Sequence, residues 1–130
     1  MYNDTSNPWI QLFTKVNTDY NKGAAFDGNT VYGMSVGYLF VQALLAAGKN
    51  PTRESLLAAV QKGGFQGPGI VPLRFSASDH SGYSGGRMVK VTGGVAQYVG
   101  SAFQTDDETG PVNEYTGAAV MPPANGIPAA

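Results

Sequence analysis

The sequence predicts a mixed α/β chain, read locally as three helices followed by a small antiparallel β unit. Three observations carry that reading. Residues 28–48, GNTVYGMSVGYLFVQALLAAG, contain no charged side chain. On either side of that run, up to Gly63-Gly64, apolar residues recur at helical spacing. Beyond residue 64 the pattern shortens into valine-rich segments around Thr92-Gly93-Gly94. That is a hairpin signal, because glycine reaches the positive φ angles that tight turns need.

The first helix is expected over about 7–21. Asn7 suits the cap, and Pro8 the first helical position, where its missing N–H has no intrahelical partner to lose. Trp9, Leu12, Phe13, Val16 and Tyr20 then form one apolar face, and Asn21-Lys22-Gly23 stops the helix.

The second helix, over about 29–47, is apolar on every side. Val31, Met34, Tyr38 and Leu45 lie along one side, and Val36, Leu39, Phe40, Ala43 and Ala47 along the others. Such a helix must be buried on most of its surface, in a larger protein or in a membrane. The run is long enough to span a bilayer, and Gly33-Met-Ser-Val-Gly37 matches the small-residue pattern of packed transmembrane helices. Asn29, Thr30, Ser35 and Gln42 inside the run, with only Lys49 as a nearby positive anchor, favour a buried helix of a soluble protein. Little else in the chain looks able to cover it. The expectation is a piece of something bigger, or a chain that needs a partner.

Asn50 or Thr52 opens the third helix, over about 52–62, with Glu54 near its positive end and Leu56, Leu57 and Val60 as its buried stripe. Residues 70–75 read as a strand interrupted by Pro72, hence an edge strand or a bulge. The hairpin strands are expected over about 87–92 and 95–99. Residues 1–100 form one unit, and 101–130 read as an irregular tail with little core.

At 130 residues the chain fits one domain with a modest core. A net charge of −1, with scattered basic residues, gives no reason to propose nucleic acid as a partner. The absence of cysteine excludes disulfides and thiol chemistry and argues against a structural zinc site. No cofactor and no metal are expected. MYNDTSNPW lacks a basic region followed by an apolar core, so no signal peptide is expected in this chain. The leader of an exported parent is expected upstream.

Chemistry is sparse. Asp79-His80-Ser81 invites a hydrolase reading, but adjacent loop side chains diverge and no strand–Ser–helix elbow exists, so a turn capped by Asp79 is preferred. Asp27 and the run Asp106-Asp107-Glu108 lack the alternating spacing of a calcium loop. The glycine-rich residues 63–69 lack the Lys-Ser/Thr of a phosphate loop, and Pro68 deletes a donor. No acid, base and nucleophile set can be assembled, so no enzyme and no catalytic residue are expected. The best candidates are Asn29, Thr30 and Tyr32, at the positive end of the second helix, where a ligand carboxylate is favoured.

The order of these pieces resembles a known family. The helix from Asn29-Thr-Val-Tyr-Gly runs into Ala47-Gly48-Lys49, and Thr52-Arg53-Glu54 opens the next helix. Then come Gly67-Pro68-Gly69-Ile70, Leu73-Arg74-Phe75-Ser76, Asp79-His80-Ser81-Gly82 and a valine-rich hairpin. Over residues 3–100 this looks like the C-terminal part of the branched-chain amino acid-type solute-binding proteins of ABC importers, which have the type I periplasmic-binding fold. The resemblance implies an extracytoplasmic, periplasmic or surface-anchored parent, considerably longer than this chain. Its two lobes would close on an amino acid or similar small polar solute and deliver it to a membrane permease. In that family the start of the helix bearing Asn29, Thr30 and Tyr32 faces the cleft, while the principal solute contacts come from earlier sequence. Helix 29–47 would be a layer helix packed on parallel sheets, and without them this chain is expected to self-associate. Two other readings stay open: a ligand sensor of the same fold, or a small self-associating interaction protein using helix 29–47.

Overall fold

The first helix of the computed structural model, which describes residues 1–22, 24–105 and 110–129, is α1 (Pro8–Tyr20). Its start is the one expected: the Asn7 side chain accepts from the Trp9 and Ile10 N–H groups at 2.9 and 3.4 Å, with Pro8 in the first turn. The buried face differs from the expected one. Trp9, Ile10, Phe13 and Asn17 are buried, Leu12 and Val16 are half-buried, and Tyr20 is exposed. The Asn17 side-chain amide donates to the Ala24 carbonyl and accepts from Asn21, so a polar residue enters this face by closing the helix end.

Helix α2 (Gly28–Ala47) begins one residue earlier than expected, because Asp27 is its cap and accepts from the Thr30 N–H at 2.9 Å. It stops at Gly48, whose φ of 96° lies in the region that favours glycine. Helix α3 (Arg53–Lys62) is capped by Thr52, not Asn50, through a reciprocal pair of bonds with Ser55. Its buried residue is Ala59; Leu56 and Val60 are half-buried and Leu57 faces solvent.

The core is small. Trp9 stands edge-on to Tyr38, with ring centroids 4.9 Å apart, and lies 5.9 Å from Phe13. Leu12, Phe26, Val31, Met34 and Val120 pack around this cluster. It joins α1 to α2, and the Trp9 indole N–H donates to the Val120 carbonyl at 2.7 Å, fastening the C-terminal segment to α1.

Strands β1 (Gly85–Thr92), β2 (Val95–Gln104) and β3 (Asn113–Glu114) form one antiparallel sheet in that order. The hairpin turn is Gly93-Gly94, with φ of 59° and 79°, and Thr92 pairs with Val95. Both strands run further than expected. Gly100, with a φ of 66°, does not end β2; it sits in an irregularity opposite Arg87–Val89, where the Arg87 Nε donates to its carbonyl at 2.7 Å.

Two expectations are corrected. The strand over 70–75 does not form; the segment makes one isolated bridge, Arg74 to Gly82. Pro72 has no N–H to offer a ladder, and the chain beyond Arg74 satisfies its backbone inside a turn. The Ser76 N–H donates to the Asp79 carbonyl and the Asp79 N–H to Ser76 Oγ. The tail over 101–130 is irregular only in part. Residues 101–104 complete β2, Asn113–Glu114 adds a strand, and Val120 joins the core.

The result is a chain of mixed helices and small antiparallel strands, compatible locally with α/β. Helix α2 is long and apolar enough to cross a membrane by length and composition, with a mean hydropathy of 1.4. Only Tyr38, Gln42 and Ala43 of its 20 residues are buried.

Candidate functional site

Four-residue spacing places Tyr32, Val36 and Phe40 in one stripe along α2. They are 72%, 49% and 53% exposed. Beside them runs a groove of about 690 Å³, walled by Val31, Leu39 and Ala43 of α2 and by Phe65, Leu73, Phe75 and Tyr83 of the segment that follows α3. Among the described residues no charged side chain lines it.

Two glycines pack close against its Leu39 and Tyr83 walls. A Cβ at Gly69 would collide with the Tyr83 ring and come within 2.7 Å of the Val71 carbonyl oxygen. At Gly67 a Cβ would lie 2.9 Å from the Tyr83 hydroxyl. The run weighed as a phosphate loop therefore serves close packing. The Tyr83 hydroxyl is buried with no hydrogen-bond partner among the described residues, and burial pushes its phenol up to about 12. Ser35 offers little to a ligand, since its hydroxyl donates to the Val31 carbonyl at 2.7 Å.

Of the three candidates read from the sequence, only Tyr32 lines this groove. Asn29 lies exposed in the first turn of α2. Thr30 is engaged locally: its hydroxyl donates to the Ala25 carbonyl at 2.9 Å and to the Asp27 carboxylate at 3.2 Å. The chain's own carboxylate, Asp27, thus stands at the positive end of the helix where a ligand anion was anticipated.

Bonds from the Thr30 N–H and hydroxyl hold the Asp27 carboxyl below its ordinary 3.8. A group with a depressed folded-state value stabilises the fold above its unfolded value, and that contribution is lost as pH falls through the folded one. Asp27→Asn keeps a capping oxygen but removes the titration. Melting followed by circular dichroism should therefore show a flatter acid limb below pH 3.8 for this variant. Superimposable acid limbs would remove Asp27 from the cap.

The other sequence candidates separate. Asp79 closes its turn, accepting from the Ser81 N–H at 2.8 Å, and His80 is exposed. Asp106, Asp107 and Glu108 lie outside the described residues. Among the described residues no three of His, Asp and Glu gather where a metal could be held. What the groove can do is bind apolar surface.

Sequence reasoning missed Leu73, Phe75 and Tyr83 as walls, because 70–75 reads as an edge strand and no local signal brings Tyr83 against α2. It also missed that Tyr38 and Gln42, four residues apart on α2, are the buried polar positions of that helix, although Gln42 was visible as an oddity in an apolar run. No protein family, no curated protein and no solved structure matches this chain.

Proposed function

We propose that the chain is part of an extracytoplasmic solute-binding protein of the type I periplasmic-binding fold, which delivers an amino acid or similar small polar solute to the membrane permease of an ABC importer. One observation carries the reading. An uncharged 20-residue helix has only three of its residues buried, and an apolar groove runs beside its exposed stripe. A helix covered by parallel sheets in its parent would look like this where those sheets are missing. The order of motifs from Asn29 to the hairpin supports the same reading.

Polypeptide of this length alone, by the same logic, buries the stripe by self-association. That property is shared with the alternative of a small interaction protein, so a test of function has to look at the parent. An epitope tag joined in frame to the chromosomal gene, followed by fractionation and immunoblotting, separates the two. The solute-binding reading expects a cell-envelope product far larger than 13.6 kDa that co-purifies with a permease. A 13.6 kDa product without transporter subunits contradicts it.

A further inference from the structure

Strand β1 is the outer strand of the sheet, and among the described residues nothing pairs with its free edge. All 8 of its residues are exposed, and no helix backbone approaches the hairpin. The hairpin geometry decides which groups that edge presents. Thr92 and Val95 close the two-glycine turn as a hydrogen-bonded pair, and bonded and non-bonded pairs alternate from there. Lys90, opposite Gln97, therefore turns its backbone N–H and C=O inward to β2. Val89 and Val91, opposite Tyr98 and Ala96, turn theirs outward. Donors and acceptors stand open in the alternation that an added strand requires.

Charge selects the strand that fits. Arg87 and Lys90 are the charged residues of the hairpin strands, and among the described residues neither makes an ion pair. A second copy pairing through the same edge would gather the cations of both copies into one sheet with no acid among them. The outer edge of β2 is a poorer site, because the irregularity at Gly100 breaks it and β3 covers Phe103 and Gln104. We propose that the β1 edge takes up an extended acidic segment of another protein as an added strand. Arg87 and Lys90 are three residues apart in the strand, hence on opposite faces. Acids three apart on the added strand lie across from both of them. Val89, Val91 and Met88, at 43%, 66% and 71% exposed, offer apolar surface to the residues between. The proposal does not rest on the solute-binding reading.

The probe is a dye-labelled, end-blocked peptide of sequence TVEVTEVT, titrated with the 130-residue protein and followed by fluorescence anisotropy. Its lysine analogue, TVKVTKVT, is the comparator. The acidic peptide is expected to saturate at millimolar concentration or below, at least tenfold more tightly than the analogue. Hydrogen exchange read by NMR should slow at the Val89 and Val91 amides on binding, while Lys90, already bonded to β2, changes little. Lys90→Glu should reverse the preference between the two peptides. Val89→Pro removes one outward N–H, leaves the bonded pairs with β2, and should weaken the acidic peptide at least tenfold. No saturable binding up to about 10 mM overturns the proposal, as does equal binding of the two peptides. Undiminished binding to both variants would place the peptide elsewhere and overturn it too. Protection of Val89 and Val91 in the protein alone, rising with its own concentration, would put a second copy on this edge in place of an acidic partner.

Discussion

Trp9→Ala is expected to remove about 3–5 kcal/mol of stability, read from urea unfolding, against the roughly 5–15 kcal/mol typical of a whole domain. Two separate losses coincide at this residue. The buried indole is the edge-on partner of Tyr38 and lies against Phe13, so its removal opens a void where α1 meets α2. Its N–H holds the Val120 carbonyl, so the C-terminal segment loses its fastening as well. Among the described residues the cluster has three buried members, Trp9, Phe13 and Tyr38, so losing one removes a third of it. Trp9→Phe should recover most of the packing while still lacking the hydrogen bond, leaving a deficit of about 1 kcal/mol or more. A loss below about 1 kcal/mol for the alanine variant would mean that this cluster does not organise the fold.

Phe40→Glu should have the second large effect, on assembly instead of folding. Phe40 is half-exposed at the C-terminal end of the stripe with Tyr32 and Val36, so a glutamate there is solvated in the monomer. In an assembly that buries the stripe, the same carboxylate loses its water with no cation beside the groove to replace it. The self-association constant should fall by about a hundredfold or more, while the unfolding free energy at high dilution stays within about 0.5 kcal/mol of the parent. Tyr20→Glu, on the exposed end of α1 away from the stripe, serves as the control and should leave assembly unchanged. Equal loss of assembly in both variants would point to general charge repulsion and not to the α2 face.

Helix placement was legible in this sequence because its signals are local. Asn7-Pro8, Thr52 and Gly48 act within a few residues of themselves, and the structure uses each of them. The glycine pair at 93 and 94 is local in the same sense. What each helix buries was less legible, because that depends on partners distant in sequence. Tyr20 had the right spacing for the α1 face and found nothing to pack against, whereas Asn17 was drawn in by bonds to Ala24 and Asn21. The second hairpin strand, expected over about 95–99, continues to Gln104 past Gly100, because the irregularity opposite Arg87–Val89 absorbs the mismatch. Asn29, Thr30 and Tyr32 were named for the positive end of α2; of these Tyr32 lines the apolar groove, which no local pattern announced, and the Asp27 carboxylate caps that end. The opposite wall, including Tyr83, depends on the chain folding back after α3, for which no local pattern exists.

The apolar surround of α2 was the clearest single signal, and the structure leaves much of that surface without cover. Mass in solution, measured by light scattering coupled to size exclusion over a range of concentrations, tests that claim most directly. The account predicts a species of at least twice 13.6 kDa, reverting to 13.6 kDa in Phe40→Glu. A monodisperse 13.6 kDa particle at every concentration would contradict it, because the chain would then tolerate its exposed helix without a partner.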